Sequence, residues 1–427
     1  MNIKNKKLIK YNVLLALLLF FMSAKYIKQK YIKVAYYCNS LRYGGIERVF
    51  SSLISYLSKE KYFIFYLLTK TKVLQNEYVI SNKTIRISLY EKKINLYEAI
   101  KQENIDILIY NYEDKEIEKL NKLKKTKVIF YNHSSFLYWI YQKHLYNFKD
   151  TVYYLYRNCK YVISLIPLEN DYLFKKWGIK SILMDNPTTF DYDSIIPSNL
   201  ENNNIVMLGR GTDPVKRYEL PIEAMKYIIK EIPDCQMNIV SKVNKNLQNM
   251  ILKLKLQNNV KFTGYLEKVE IYLKNTSLHI LSSLSESYPM VLGEAKIFGI
   301  PSILCGLDYL TLSKGGTIII YDDEPTSIAN VAIKILKDRD LRKKMGKEAR
   351  ESMKNKKNKL LAKKWGKLLL SVYKGDNKIF HELLNDKNKM TDDEANQILN
   401  NQLILLKKRR VFFKNLTLEK FMFYSLT

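Results

Sequence analysis

The first half of the chain alternates short, almost wholly apolar runs with stretches of helical spacing. The apolar runs predict strands at residues 34–38, 63–68, 85–89, 105–110, 128–131 and 161–165. After the first run, Val49, Leu53, Ile54 and Leu57 recur on one face of a helix predicted over residues 46–57. Strands that are apolar on both faces are typical of a parallel sheet covered by helices on either side. This half is therefore predicted to be Rossmann-like.

The second half repeats the pattern after a break. Residues 186–203 contain Pro187, Pro197 and several Asn without any sustained period, and they predict a linker. Apolar runs then predict strands at residues 205–208, 237–240, 260–263, 278–281, 301–304 and 317–321. The predicted fold class is α/β, with two Rossmann-like βαβ domains, residues 31–185 and 204–375, that face a central cleft. Ligands are expected at the carboxyl ends of the strands.

The two ends of the chain have a different character. Residues 13–24 are almost wholly apolar and are flanked by lysines, but this run is short for a membrane crossing. It fits a signal anchor, an interfacial helix or the apolar core of a cleaved signal peptide. We expect residues 1–30 to be a hydrophobic anchor or signal segment that makes the protein membrane-associated, with its orientation open.

The C-terminal end, residues 376–427, is predicted to be a helical tail. Thr391-x-x-Glu394 is a capping box that opens a final helix, and this helix is expected to reach residue 406. The aromatic residues between 411 and 424 fit contact with a membrane interface or with the first domain equally well.

Composition restricts the class of protein. With 47% hydrophobic and 26% charged residues, the 427-residue chain is globular and not disordered. Its formal charge of +29 favours anionic partners, such as lipid head groups, nucleotide phosphates or nucleic acid. The four Cys and four His have no metal-ligand spacing, so we expect free buried thiols and no metal site.

The most informative stretch, residues 283–304, contains Glu286 and Glu294 between two predicted strands. Pro289 suits the first turn of a helix, whose leading N–H groups attract anions. The amides of Met290, Val291 and Leu292 are therefore predicted to hold a diphosphate, with one carboxylate on each side for hydroxyl groups. This design indicates a sugar-nucleotide site.

Two further loops follow predicted strands. Gly44 and Gly45 lie between the first strand and its helix, where glycine lets the backbone approach a ligand closely, or simply permits a tight turn. Arg210 and Lys216 lie in the loop after residues 205–208, from which they could neutralise a leaving diphosphate. The alternative is coincidence, because two cations in one loop are common in so basic a chain.

Together these segments resemble one family. S-E-S-Y-P-M-V-L-G-E-A-K-I-F-G-I-P is similar to the E-x7-E signature of retaining GT-B glycosyltransferases of family 4, the glycosyl transferases group 1 type. G-G-I-E-R and G-R-G-T-D-P-V-K-R match further segments in the expected order, and Lys314-Gly315-Gly316 resembles a fourth. The resemblance covers residues 34–374 and implies a nucleotide-sugar donor bound mainly by the second domain.

The resemblance also implies roles for individual residues. Arg210 and Lys216 would contact the diphosphate, Glu286 the sugar hydroxyls and Glu294 the ribose, while Gly45 approaches the diphosphate from the first domain. His133 looks like the first-domain histidine near the sugar, although a loop histidine with a structural role fits as well.

The sequence departs from the family pattern in two places. The loop after residues 237–240 lacks its Gly-rich turn, which puts donor contacts from that loop in doubt, and Arg210 and Lys216 are spaced by six residues where five is commoner. The triplet Asp191-Tyr192-Asp193 resembles the metal-binding D-x-D of the other large glycosyltransferase fold, but it lies in the predicted linker and not at a strand end.

The predicted function is transfer of a hexosyl unit from a nucleotide diphosphate sugar to an acceptor hydroxyl of a glycan or a lipid-linked molecule. Retention of configuration and independence of metal follow from the resemblance, and no cofactor is expected. Partners are the donor, the acceptor and a membrane, without specific nucleic acid. The alternatives are an inactive scaffold that binds membranes or nucleic acid, and a phosphorylase of the same fold.

Overall fold

The computed structural model describes residues 31–42, 44–112, 114, 116–135, 156–264, 269–376, 382 and 390–409. These residues form two α/β units, each built on one parallel sheet. The predicted α/β class with two parallel-sheet domains is therefore confirmed. The predicted domain limits stay predictions.

The first sheet is built from strands in the first half of the chain. They are β1 (Ile32–Cys38), β2 (Phe63–Thr69), β3 (Ile85–Ser88), β4 (Ile107–Tyr110), β5 (Lys127–Tyr131), β6 (Tyr161–Ser164) and β7 (Ile182–Leu183). Their order in space is β3-β2-β1-β4-β5-β6-β7, and neighbouring strands run parallel to each other. The chain moves outward in one direction from β1 and in the other from β4. A crevice therefore opens at the carboxyl ends of these two strands.

The second sheet repeats this arrangement. Its strands are β8 (Asn204–Leu208), β9 (Gln236–Val240), β10 (Val260–Phe262), β11 (Leu278–Leu281), β12 (Ser302–Cys305) and β13 (Thr317–Ile320). The order is β10-β9-β8-β11-β12-β13, again in parallel. Here the order reverses between β8 and β11, which places the corresponding crevice at the ends of those strands.

Helices cover both sheets. They are α1 (Gly45–Leu57), α2 (Leu89–Lys92), α3 (Leu96–Gln102), α4 (Glu116–Asn121), α5 (Pro167–Trp177), α6 (Glu219–Glu231), α7 (Lys245–Lys253), α8 (Glu270–Lys274), α9 (Met290–Ile297), α10 (Pro325–Lys337), α11 (Arg339–Ser352), α12 (Asn358–Lys374) and α13 (Asp392–Lys408). Pro214–Lys216 and Lys354–Lys356 form single 3₁₀ turns.

Helix α12 joins the two units. Although it follows the second sheet in the chain, it packs against α1 and β4 of the first. Trp365 of α12 is fully buried with its ring centroid 5.3 Å from that of Tyr131, and Lys127 donates from Nζ to the carbonyl oxygen of Val372 at 2.8 Å. One buried hydrophobic cluster therefore runs from the first unit into the second.

Two helix starts were predicted from local sequence. The Thr391 hydroxyl accepts a hydrogen bond from the amide of Glu394 at 3.2 Å, so the capping residue of α13 is as predicted and the helix continues to Lys408. Pro289 differs, because it is the N-cap of α9 in an extended conformation with ψ of 106° and does not lie in the first turn. The helix therefore begins one residue later than expected.

The predicted localisation is wrong. Among the residues that the structure describes, no helix is both long and apolar enough to cross a membrane. Residues 1–30 and 411–427, on which the anchor and the aromatic tail were predicted, lie outside the described residues.

Candidate active site

The predicted site segments follow the strands at the two switch points. Gly44 and Gly45 come after β1, Arg210 and Lys216 after β8, and Glu286 after β11. Each of these strands borders the point where the strand order of its sheet reverses. Topology alone therefore brings the glycine loop to one crevice and the two charged loops to the other.

Lys216 and Glu286 form an ion pair between the two charged loops. Lys216 Nζ donates to Glu286 Oε1 at 2.5 Å, and the Ser283 hydroxyl donates to the same oxygen at 2.6 Å. The side chains of Lys216 and Glu286 are 16% and 14% exposed, so the pair is accessible but largely removed from water. The cation and the carboxylate are thus held side by side at the carboxyl end of the sheet.

Backbone contacts fix the two loops to each other. The amide of Leu284 donates to the Val215 carbonyl at 2.8 Å, and the Ser282 hydroxyl donates to the Lys216 carbonyl at 2.7 Å. Arg217, in a left-handed conformation with φ of +48°, returns a bond from Nε to the Ser282 carbonyl at 2.8 Å. The Lys216–Glu286 geometry is therefore determined by the backbone as well as by the charges.

Arg210 does not join this ion pair. Its guanidinium contacts Asp213 in its own loop at 3.0 Å, and 68% of the side chain is exposed. Asp213 also accepts from the Val215 amide at 3.1 Å, which starts the 3₁₀ turn that carries Lys216. Arg210 is thus an exposed cation at the rim of the crevice, whereas Lys216 is largely buried in its ion pair with Glu286.

Glu294 lies at the junction of the two units. Its Oε1 accepts from Arg48 Nη1 of helix α1 at 2.7 Å and from the Thr189 hydroxyl at 2.5 Å. The Glu294 side chain is 2% exposed, and the neighbouring carboxylate raises the pKa of the Arg48 guanidinium. Both contacts use Oε1, so Oε2 is the oxygen that faces away from them.

The two predicted glycines have different surroundings. A Cβ on Gly44 would lie 1.6 Å from Oε2 of Glu47, whose carboxylate folds back over the start of α1. A Cβ on Gly45 would meet nothing within 4 Å. A side chain at position 44 would therefore displace the end of the Glu47 side chain, whereas Gly45 is the position with room for a ligand.

Glu47 itself is an acidic group that the sequence did not single out. Burial raises the pKa of its carboxyl, while its own backbone amide and the positive charge of Arg210 oppose the rise. Because the charge of Arg210 acts on the Glu47 carboxyl, the rims of the two crevices lie near each other. The candidate site therefore lies between the units.

The amides at the start of α9 are only partly open to a ligand. Leu292 and Gly293 donate to the Pro289 carbonyl at 3.1 and 3.3 Å. In the part of the chain that the structure describes, the amides of Met290 and Val291 donate to no protein group. Three amides were predicted to donate hydrogen bonds to a diphosphate, and one of them, that of Leu292, already donates to a protein carbonyl.

His133 lies on the first-unit side of the junction. Burial lowers the pKa of its imidazole to about 3, and its Nε2 is buried without a hydrogen-bond partner. The ring packs 4.1 Å from that of Tyr131, and the carbonyl of His133 accepts from the Ser287 hydroxyl at 2.6 Å. Ser287 directly follows Glu286, so His133 is brought to the candidate site as a neutral ring.

A buried lysine supports the helix that carries Glu294. Lys296 is fully buried and donates from Nζ to the carbonyls of Lys314 and Gly315 at 2.7 and 2.6 Å. Burial lowers the pKa of its amine to about 7. The segment Lys314-Gly315-Gly316, which the sequence singled out, thus anchors α9 from behind.

The remaining predicted features have structural partners. Asp193 of the D-x-D triplet pairs with Lys357 at 2.5 Å, and no group of three or more potential metal ligands occurs among the described residues. In the loop that lacks the expected Gly-rich turn, Ser241 accepts from the Gly211 amide at 2.6 Å and Asn244 donates to the Gly211 carbonyl at 2.8 Å. That loop therefore supports the Arg210–Lys216 loop from behind.

Sequence reasoning did not find Arg48, Thr189, Ser283 or Tyr309. The Tyr309 hydroxyl accepts from the Glu286 amide at 3.0 Å, so it fixes the backbone of the candidate catalytic residue. Arg48, Thr189 and Tyr309 come from distant parts of the chain, and no local pattern marks their contacts. Arg48 is the last residue of G-G-I-E-R and Ser283 the first of the stretch 283–304, but neither was given a role.

Known proteins resemble this chain in sequence and in fold. The family model described as "Glycosyl transferases group 1" matches residues 190–352, which include the Arg210–Lys216 loop, Glu286 and Glu294. An uncharacterized glycosyltransferase of Haemophilus influenzae is 26% identical over 34% of this chain and 41% of its own length. The chain thus spans about two fifths of the length of that curated relative.

Two other proteins match over most of the chain. The "GalNAc-alpha-(1->4)-GalNAc-alpha-(1->3)-diNAcBac-PP-undecaprenol alpha-1,4-N-acetyl-D-galactosaminyltransferase" of Campylobacter jejuni is 23% identical over 80% of this chain and 99% of its own. The structure of Anabaena HepE in complex with UDP and glucose has a TM-score of 0.64 and 14% identity, and it covers 80% of this chain and all of the other. Residues 190–352 thus resemble the glycosyl transferases group 1 family, and the two parallel-sheet units together have the GT-B fold of the structures that they match.

Proposed function

We propose that this protein transfers a hexosyl unit from a nucleotide diphosphate sugar to an acceptor hydroxyl of a glycan or lipid-linked molecule, with retention of configuration. The single observation that carries the proposal is the Lys216–Glu286 pair at the carboxyl ends of β8 and β11. It combines a fixed cation for a leaving phosphate with a fixed acceptor for sugar hydroxyls, between two units that can enclose a donor.

Each residue of the candidate site has its own part in the proposed reaction. Lys216 holds a point charge beside the diphosphate, which gains negative charge as the glycosidic bond breaks, and Arg210 adds a second cation from the rim. Glu286 accepts hydrogen bonds from the sugar and orients it, which is positioning and not nucleophilic attack. Glu294, through Oε2, and the amides of Met290 and Val291 bind the nucleoside and diphosphate ends of the donor.

His133 and Gly45 approach the donor from the first domain, which forms the acceptor side of the cleft. The imidazole of His133 is neutral over the physiological pH range because burial keeps its pKa near 3, so it can accept or donate one hydrogen bond without adding charge. Gly45 leaves space beside the start of α1, where the helix N-terminus favours an anionic group. We propose that the cationic groups do the work that a metal does in other transferases.

Two comparisons support the choice of substrates. The Campylobacter relative is named for a transferase whose acceptor is an undecaprenol-linked glycan, and Anabaena HepE was solved with UDP and glucose. We therefore propose a UDP-sugar as the first donor class to test, and a polyprenyl diphosphate-linked glycan as the first acceptor class.

The test is a panel of UDP- and GDP-sugars with the full-length protein, in which donor hydrolysis and transfer are both measured. We expect one donor class to be turned over, and Glu286→Ala and Lys216→Ala each to reduce the rate at least about a hundredfold, as loss of one preorganised donor does in other sites. Glu223→Ala, in an exposed helical pair with Lys226, is the control.

Calorimetry with the same donors separates the outcomes. Binding without turnover would point to missing acceptor, and a wider acceptor panel would follow. A folded protein that binds none of the donors would overturn the proposal and favour a scaffold without activity. Full activity in both site variants would overturn the residue assignments while leaving the reaction intact.

A further inference from the structure

The C-terminal helix α13 crosses from the first unit to the second. Near its start, Asp392 pairs with Lys175 of the first unit, and Glu394 pairs with Lys314 of the second at 2.5 Å. Thr391 caps the helix at this end. These residues lie beyond the 190–352 range that the family model matches, so the family gives no role for the helix.

The other end of α13 is fixed to the second unit by polar contacts. Gln402 donates from Nε2 to the Gly306 carbonyl at 2.6 Å and to Asp308 Oδ1 at 2.8 Å, and Asn401 donates to Asp308 Oδ2 at 3.0 Å. Gly306 has φ of +66°, and a Cβ there would lie 2.2 Å from Leu405. The loop after β12 is thus shaped to receive this helix.

Directly after α13, Arg409 enters a buried charge network. Its Nε and Nη2 donate to the two carboxylate oxygens of Asp323 at 2.5 and 3.0 Å, which is a bidentate contact. Arg217 contacts the same carboxylate from the other side, at 2.9 and 2.6 Å. Arg409 is only 6% exposed and Arg217 10%, so all three charges are removed from water.

Both arginines also hold the loop that carries Glu286. Arg217 Nε donates to the Ser282 carbonyl at 2.8 Å, and Arg409 Nη1 donates to the Leu284 carbonyl at 3.2 Å. Between them, the Ser283 hydroxyl donates to Glu286 itself. The segment just before Glu286 is therefore held on both sides, and Arg217 directly follows Lys216.

We propose that Arg409 and Asp323 are positioning residues for the Lys216–Glu286 pair, which makes the C-terminal helix part of the working donor site. This inference rests on the proposed glycosyl transfer. Asp323 orients both guanidinium groups. These groups bind the backbone carbonyls of Ser282 and Leu284 and so fix the position of this segment relative to Lys216. Because an error of about 1 Å in a reacting group can cost up to a hundredfold in rate, small shifts of this backbone matter.

The test compares Arg409→Met with the wild type in steady-state transfer assays. We expect kcat to fall about tenfold while KM for the donor changes less than about threefold. The reason is that Glu286, which orients the sugar, is misplaced, whereas Glu294 and the amides at the start of α9, which bind the rest of the donor, are unchanged. Arg339→Met is the matched control, since it removes an arginine with a similar bidentate contact, to Glu201, on the exposed surface of the same domain.

Asp323→Asn supplies an independent variant. Asp323 has φ of +57°, which Asn tolerates well, so this change removes the charge without new backbone strain. If the network acts as one unit, Arg409→Met should reduce kcat by less than about twofold further in the Asp323→Asn background. A full tenfold further loss would overturn the shared network.

Donor-binding stoichiometry measures the folded fraction of each variant, so that kcat can be expressed per folded molecule. A wild type without transfer activity would refute the proposed function and not this inference specifically. An active wild type together with an Arg409→Met protein of unchanged kcat per folded molecule would overturn the inference. A loss of activity that equals the loss of folded protein would overturn it as well, because the role would then be structural alone.

Discussion

Arg48 of the first domain donates a hydrogen bond of 2.7 Å to Glu294 of the second, and Glu294 is almost fully buried there. The ring of Tyr78 lies 5.5 Å from the Arg48 guanidinium and holds it from the first-domain side. Thr189, from the segment between the two sheets, donates to the same carboxylate oxygen. The residue proposed to bind the donor ribose is therefore oriented by the opposite domain.

Arg48→Met should weaken donor binding. Glu294 would keep only the Thr189 hydroxyl on Oε1, and its carboxylate would lose a charge-assisted bond of about 1.5–3 kcal/mol. We expect the donor Kd from calorimetry to rise about tenfold or more, with a smaller change in kcat. The physical reason is that an unfixed carboxylate must be ordered by the ligand itself.

Arg86→Met is the control for that measurement. Arg86 also pairs with a carboxylate, that of Glu77, but the pair lies wholly within the first domain. It should lower the melting temperature without changing the donor Kd. An Arg48→Met protein that binds donor as tightly as the wild type would contradict the role of this contact.

Ser283→Ala should reduce kcat about five- to tenfold. The Ser283 hydroxyl donates to Glu286 Oε1 at 2.6 Å from a fully buried position, and a hydrogen bond to a charged group contributes about 1.5 kcal/mol or more. Donor KM should change little because Lys216 still holds the carboxylate. Ser285→Ala, one position before Glu286, is the control, and equal kcat values in the two variants would contradict the prediction.

Local pattern was enough to predict most of the sheet strands. Runs such as Ile107–Tyr110 are apolar on both faces, as strands of a covered parallel sheet are, so the pattern predicted their position and class. The two-residue strand Ile182–Leu183 was missed because it is too short to have a period. Pro289 was placed one position too far into its helix, since a proline fits both the N-cap and the first turn.

The partners of the candidate residues could not be predicted in the same way. Arg48 and Glu294 are 246 positions apart, and Arg409 and Asp323 are 86 apart. Such contacts depend on how the domains and the C-terminal helix pack, and neither spacing nor composition records this. The sequence therefore predicts which residues bind a donor, and the structure shows which residues contact them.

Gly45→Ala and Gly44→Ala should have opposite effects. Gly45 is the first residue of α1 and a Cβ there meets no atom within 4 Å, so alanine should leave thermal stability unchanged or slightly higher. If a diphosphate occupies this space, the same change should raise the donor Kd several-fold. Gly44→Ala instead places a Cβ against the Glu47 carboxylate and should lower the melting temperature.

The double variant Gly44→Ala/Glu47→Ala separates these effects. Removing the Glu47 carboxylate removes the clash, so the melting temperature should recover most of the loss caused by Gly44→Ala alone. Donor affinity that falls in Gly44→Ala and not in Gly45→Ala would reverse our assignment of the open position.

His279 should make the protein less stable as the pH falls below about 6.5. It is fully buried in β11, its Nδ1 lies 3.2 Å from the Ser302 hydroxyl, and burial, with a smaller effect of the Lys296 charge, lowers its pKa to about 3. The unfolded chain has an ordinary histidine pKa of about 6.5. Between these two values the unfolded state binds a proton that the folded state does not.

The sign of the effect follows from that difference in bound protons. The contribution of His279 to stability is fully present above pH 6.5 and is lost as the pH falls toward 3, by up to about 1.4 kcal/mol per pH unit. In His279→Asn, which can keep a nitrogen near Ser302, the free energy of unfolding should be lower at pH 7 but should fall less steeply between pH 6 and 4. Urea unfolding at pH 7, 6, 5 and 4 measures both slopes, with His133→Asn as a second test of the same kind, because burial also lowers the pKa of His133 to about 3. Parallel pH dependences of wild type and His279→Asn would mean that the ring is already protonated when folded, and the neutral state assigned to it would be wrong.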